Sequence, residues 1–297
     1  CAMAAREEPK PLSLALKEAA TKALGGGIPG AAAMVIQVLT LMWLRTTINY
    51  QYAHGGTMLE ALTKLYGQGG VARFYQGLSY ALLLGPISRF GDTAAHAGMM
   101  SLLSRTTLPV AAKTLTASGA ASLFRILLTP LDTFKTVLQT EGSLRPLAAK
   151  YKTGGLAIFF DGALANSFAT LIGHYPWFLT QNFLNMKLPE FPGPRGRMLR
   201  NAFMGLCSSA ISDCTSNSVR VVKTAKQASR TPISYTRAAS NIIKSDGFAG
   251  LMFRGLGAKI LTNAIQAMLF TILWKEFERI LAEKRAKDKK RASEKRE

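Results

Sequence analysis

A basic residue followed by threonine occurs three times at nearly constant spacing. Arg45-Thr46, Lys135-Thr136 and Lys223-Thr224 lie 90 and 88 residues apart. An apolar, glycine-bearing segment precedes each pair: Gly26 to Leu44, Gly119 to Leu128 and Gly205 to Val222. An aromatic residue, one variable residue and a glycine follow each: Tyr75-Gln76-Gly77, Phe160-Asp161-Gly162 and Phe253-Arg254-Gly255. Those glycines stand 32, 27 and 32 residues past the basic anchor, and Gly69 and Gly247 each precede theirs by eight. Self-similarity at a fixed period means one supersecondary unit repeated, with faces that only neighbouring units can cover. The expected unit is a helix, a loop with a short surface helix, and a second helix. Three copies give six helices, with both termini on one side. The boundaries fall at 1–21 for an amphipathic lead-in, 22–109, 110–194 and 195–282 for the repeats, and 283–297 for a basic tail.

The charge pattern says where such helices sit. No charged residue occurs over the 22 positions from Ala23 to Leu44 or the 25 from Gly162 to Met186. A helix needs roughly 20 apolar residues to cross a bilayer. The net charge of +20 comes from 37 Lys and Arg against 17 Asp and Glu, and the basic residues flank the apolar stretches. Basic loops beside long apolar spans are topology signals, which argues against nucleic acid as the partner. Three cysteines cannot make a disulfide framework, and 48% apolar content rules out a disordered body. The expected fold is all-α and membrane-embedded: six transmembrane helices in three pseudo-symmetric repeats. A ring of three units turns its polar stripes toward a shared axis, as polar residues of spans face a bundle interior.

The segment from Pro130 through Asp132 to Lys135 and on to Gln139 resembles the Pro-x-acid-x-x-base motif of the mitochondrial carrier family. The likeness extends from about Leu24 to Leu281, with the three anchors and three aromatic-x-Gly elements in place. It implies a six-helix barrel with a central site and alternating access, in the mitochondrial inner membrane or, alternatively, a plastid envelope. In the family each odd helix offers an acid and a base three residues apart, and three ion pairs close the matrix side. Carried over, the bases are Arg45, Lys135 and Lys223, and the acid positions are Met42, Asp132 and Arg220. The kinking proline remains only as Pro130, with Thr40 and Ser218 in its place elsewhere. One pair is expected, Asp132 with Lys223, while Arg220 meets Arg45 and Lys135 faces Met42. An isolated pair near water is worth about 1 kcal/mol or less, so the gate is nearly neutral in energy. Gln139 and Gln227 hold the family's brace positions, with Asn49 in the first repeat. The best match to a cytosolic gate is Lys275 with Glu278, reversed in charge.

Residues seven apart share a helix face, because two turns take about 7.2 residues. If Asp132 faces the axis, so does Arg125; if Arg220 does, so does Asp213. Ionisable residues inside spans are site candidates; Arg125 and Asp213 equally suit a pair that neutralises itself across the cavity. Lys259, Thr262, Asn263 and Gln266 form one stripe, Asn166, Thr170 and His174 a second, and Arg89, Asp92 and His96 a third. The resemblance places substrate contacts near Leu84, Thr170, Thr262 and Asn263. Arg125, Asp213 and Lys259 together would suit a small zwitterion or monoanion. It also implies an anionic, cardiolipin-like lipid at Gly77, Gly162, Arg254 and Gly255, since free N–H groups at a helix start bind phosphate; Asp161 opposes this in the second repeat. The tail from Glu283 to Glu297, with eight basic and four acidic residues, is either a solvated helix end or an anchor on anionic lipid. No cofactor, metal site or catalytic constellation is expected. The reading is a solute carrier acting as a monomer. The alternative is a carrier-derived scaffold that no longer transports, a subunit of a larger complex.

Overall fold

The computed structural model describes residues 28–103 and 110–269, with 13, 14 and 17 besides. The described chain is all-α. Its long helical runs are α1 (Ile28–His54), α3 (Leu78–Leu102), α4 (Val110–Leu127) continued by α5 (Thr129–Glu141), α7 (Ala163–Lys187) and α8 (Gly193–Ala228). Connecting helices α2 (Met58–Phe74), α6 (Arg145–Gly154) and α9 (Tyr235–Phe253) lie between them, a 3-10 turn spans Gly155–Phe160, and α10 covers 256–269. Neighbour contacts close on themselves: α1 packs on α3, α3 on α4, α4 on α7, α7 on α8, and α8 back on α1.

Proline decides where the long helices break. Pro130 has no N–H and its ring clashes with the preceding turn, so helix stops at Leu127 and restarts at Thr129. Thr40 and Ser218 stand at the matching places in α1 and α8, and both helices run through them unbroken.

Glycine decides where segments distant in sequence touch. Gly77, Gly162 and Gly255 all have positive φ, at 83°, 87° and 64°. Each lies against a helix far from it along the chain. A Cβ on Gly77 would sit 3.1 Å from the Lys135 carbonyl oxygen, one on Gly162 2.8 Å from the Lys223 side chain, and one on Gly255 2.8 Å from Tyr52. Polar side chains pin the same loops: Thr46 Oγ1 donates to the Phe74 carbonyl at 2.7 Å, Thr133 Oγ1 to that of Phe159 at 3.0 Å, and Asn217 Nδ2 to that of Arg254 at 3.1 Å. Gly70, Gly155 and Gly247 also have positive φ, breaking each surface segment before its aromatic-x-Gly. Gly69, which sequence spacing matches to Gly247, is extended at φ 170°, so the break falls one residue later, at Gly70; Gly155 was not marked by that spacing.

Basic residues cap the long helices. Arg73, at the end of α2, donates to the carbonyls of Leu138, Gln139 and Thr140 at 3.3, 3.0 and 2.9 Å. Lys150 of α6 does the same to the Lys226 carbonyl at 2.8 Å. The last carbonyls of a helix lack internal partners and carry the negative dipole end, so a cation there is favourable. Burial pushes the Arg73 guanidinium below its ordinary value, while Tyr50 and Glu141 oppose that shift.

Among the described residues, one continuous stretch, Arg145–Lys187, is long and apolar enough to cross a membrane; Leu78–Ser88 and Leu115–Leu127 are apolar but shorter. Six such helices were expected. The charged stripe of α8 (Asp213, Arg220, Lys223) and the break at Pro130 dilute or divide the others. The start of the first uncharged stretch, with Gly26 and Gly27, lies outside the described residues.

Candidate functional site

A cavity of about 400 Å³ lies between the long helices. Its walls carry Arg45, Asn49 and Tyr52 from α1, Leu84, Gly85 and Ser88 from α3, Arg125 from α4 and Asp132, Lys135 and Gln139 from α5. Asn166 of α7, Arg220, Lys223 and Thr224 of α8, and Lys259, Thr262, Asn263 and Gln266 of α10 complete them. Among the described residues, six basic side chains thus face one acid. The two-turn spacing explains the clustering, since Arg125 and Asp132 project one way although Pro130 parts their helices. Tyr52 was missed, yet it lies seven residues past Arg45 and follows from the same rule. Thr224 belongs to the third base-Thr anchor, while Ser88 carries no such signal.

Asp132 closes one end. It is buried, takes Lys135 Nζ on Oδ1 at 2.6 Å and pairs with Lys223 through Oδ2. Lys135 therefore does not face Met42; it turns back onto its own helix, where a carboxylate three residues away is a better partner than a thioether. Met42 is fully buried beside Val38 and Ala81, with Gln139 Nε2 3.6 Å from its sulfur. Arg45 and Arg220 both line the cavity but each turns to a neutral acceptor: Arg45 donates to Gln266 Oε1 at 3.3 Å and Arg220 to Ser216 Oγ at 3.1 Å.

Uncharged braces hold the other two seams. Asn49 Nδ2 donates to Gln139 Oε1 at 2.5 Å, joining α1 to α5, and the Tyr52 hydroxyl donates to Asn217 Oδ1 at 3.0 Å, joining α1 to α8. Gln227 lies outside the cavity wall and ties α8 to Thr133 Oγ1 at 3.1 Å and to the Asp161 carbonyl at 2.9 Å. At the α1 and α5 ends His54 meets Glu141 at 3.0 Å.

Two candidate contacts sit elsewhere. Asp213 is buried behind the wall and accepts a hydrogen bond from Asn263. Thr170 is buried, its hydroxyl donating to its own helix at the Asn166 carbonyl, 2.9 Å away. Asn166, one turn earlier, reaches the cavity instead and accepts from Lys223 at 3.4 Å. Lys275 and Glu278 lie outside the described residues, as does the basic tail.

Around the aromatic-x-Gly sites, Arg254 is committed to its own unit, donating to Asp246 at 2.8 Å and Ser245 at 3.0 Å. Asp161 does not stand as a bare negative charge. Lys150 and Lys226 both reach it at 2.7 Å, so that site carries a net positive cluster.

A family model described as mitochondrial carrier protein matches residues 195–285. The match covers under a third of the chain and takes in α8, α9 and α10, the segment bearing Arg220, Lys223 and Lys259. A comparison with curated proteins gives no match. The matched family is one of carriers rather than enzymes, and among the described residues no group of three or more His, Cys, Asp or Glu gathers to hold a metal.

Proposed function

We propose that the chain is a membrane carrier in which three helical repeats form a six-span ring around a solute site opened to each side in turn. The observation that carries this reading is the cavity: six basic side chains and one acid enclosed by helices whose other faces are apolar. Leu123, Leu127, Leu164, Phe168, Leu179 and Phe203 point outward and are exposed, while Asp132, Gln139, Ser216, Asn217 and Thr262 are buried. A water-soluble bundle is built the other way round. Lipid against the outer face and water in the centre satisfy both sets.

The cavity chemistry selects an anion. Asp132 already holds two lysines, and Asp213 stands behind Asn263, so among the described residues no carboxylate in the wall remains for an ammonium group. The described wall carries five positive charges in formal excess, which concentrate anions in a low-dielectric cleft. A small carboxylate or phosphate therefore fits better than a zwitterion. The match to carriers and the threefold recurrence of positive-φ glycines support the repeat architecture. An organellar inner membrane, mitochondrial by the family resemblance, is the proposed location, with anionic lipid against the Lys150–Asp161–Lys226 cluster.

One observation favours the second reading, a scaffold without transport. Of the three seams at the closed end only one holds an ion pair from the motif positions, and the other two are neutral. Thermal unfolding of the purified protein with small anions, neutral solutes and cations separates the two. A ligand at one hundred times its Kd stabilises the folded state by about 2.7 kcal/mol. Anions should raise the melting temperature, and Arg220→Gln and Lys259→Gln should remove the rise. Absence of any shift, with co-purification in a large assembly, identifies the scaffold.

A further inference from the structure

Gly70, Gly155 and Gly247 share one device. Their φ angles are 61°, 61° and 70°, and a Cβ on any of them would meet nothing within 4 Å. Packing therefore does not ask for glycine there; the left-handed turn does. Each is followed directly by a bulky apolar residue that the turn leaves outside: Val71, Leu156 and Phe248 are 65%, 70% and 68% exposed. They stand six, six and seven residues before Gly77, Gly162 and Gly255. The chain beside them is held down, with Phe74, Ile158 and Arg254 buried, so the outward aim is fixed. Each segment also lies at the C-terminal end of a long helix: Arg73 caps α5, Lys150 caps α8, and Arg254 borders Gly55, just past α1.

We infer that Val71, Leu156 and Phe248 are three membrane anchors, which sink the segments between Met58 and Gly77, Arg145 and Gly162, and Tyr235 and Gly255 into the acyl boundary of an anionic leaflet. The inference rests on the membrane reading above and adds the depth at which the connecting segments lie. The contact is with acyl chains, apart from any phosphate held at a helix start. A single exposed apolar side chain means little. Three of them, each behind a left-handed glycine at a matching place in three repeats, mark a built surface.

Their neighbours fit the same partner. Tyr66, Tyr151 and Phe253 are exposed on these segments, and aromatic rings favour the membrane–water boundary. Leu156, Phe160 and Leu164 are all exposed, so the apolar surface runs from the second anchor onto α7. Lys64, Arg145, Lys152, Arg237 and Lys244 are exposed as well. The acids of these segments are engaged within the protein: Glu60 caps its own helix, Asp161 takes two lysines and Asp246 takes Arg254. Free basic groups beside apolar anchors complement anionic headgroups.

Single tryptophans test this in the full chain carrying Trp43→Phe, Trp177→Phe and Trp274→Phe, reconstituted in vesicles of phosphatidylcholine and phosphatidylglycerol. Val71→Trp, Leu156→Trp and Phe248→Trp report the anchors, Phe168→Trp the outer face of α7, and Thr231→Trp the exposed turn between α8 and α9. Phosphatidylglycerol brominated near the glycerol end of its acyl chains should quench the three anchors and Phe168→Trp, and acrylamide should leave them bright. Thr231→Trp should behave in the opposite way. Quenching of Phe168→Trp by bromolipid, with the three anchors quenched by acrylamide alone, would overturn the inference and leave the spanning helices standing. No bromolipid quenching at Phe168→Trp or at the anchors would remove the membrane reading and the inference together. Anchors shielded from both quenchers would be covered by protein, such as a second copy of the chain, which overturns the inference equally. Phe248→Trp, the most conservative replacement, decides the matter if a bulkier one fails to fold.

Discussion

Asp132→Asn removes the carboxylate on which two lysines converge. Asp132, Lys135 and Lys223 expose only 9%, 19% and 13% of their side chains. Breaking a buried pair by deleting one partner costs 3–5 kcal/mol, because the remaining charge is left unmatched. Here two cations are left, though both border a watery cavity, which places the cost near the lower end, about 3 kcal/mol. Lys135→Met or Lys223→Met leaves the carboxylate with one cation still attached. Each should cost about 1.5 kcal/mol, the lower range for a charge-assisted hydrogen bond. Denaturant unfolding in mixed micelles, followed by fluorescence, gives the three values. The argument fails if Asp132→Asn costs no more than either lysine replacement, since the carboxylate would then not be the shared centre.

Two further substitutions follow from close contacts. Gly162→Ala should destabilise by about 2 kcal/mol or more, because a left-handed backbone costs an L-residue roughly 1–2 kcal/mol and the new methyl meets Lys223; Gly119→Ala, inside α4 with nothing within 4 Å of a Cβ, should instead stabilise by up to about 1 kcal/mol in the same unfolding assay. Met42→Asp, which restores an acid at a motif position, should lower stability by about 2–4 kcal/mol instead of adding an ion pair. Met42 is fully buried beside Val38 and Ala81, Lys135 is already engaged, and a buried carboxylate with the neutral Gln139 amide beside it but no counter-charge is costly. A gain in melting temperature would show that the Asp132–Lys135 contact yields readily.

Much of the frame was legible in the chain. Strict spacing of base-Thr and aromatic-x-Gly marks helix ends and close approaches, and these depend on local geometry that glycine and proline dictate. The kink at Pro130, the positive φ of Gly77, Gly162 and Gly255, and the shared face of Arg125 and Asp132 belong to this class. Partner choice did not follow from spacing. Lys135 had a nearer carboxylate than the one across the seam, and Thr170 turned its hydroxyl onto its own helix, as threonine does when the i−4 carbonyl is within reach. Asp213 shares a face with Arg220 by helical count, yet Asn263 intervenes between it and the cavity. The pairing of Asp161 with Lys150 and Lys226 joins residues up to 76 apart, a distance that no local pattern encodes.

Cysteine labelling in proteoliposomes tests the central claim most directly. After Cys1, Cys207 and Cys214 are replaced by serine, single cysteines go at Ser88, Asn166 and Thr224 in the cavity wall and at Leu123, Leu127 and Leu164 on the outer face. A basic, water-filled centre within a lipid-facing ring predicts that a membrane-impermeant anionic thiol reagent labels the first three, faster than its cationic counterpart does, and leaves the second three unmodified. Labelling of the outer positions with protection of the inner ones would contradict it.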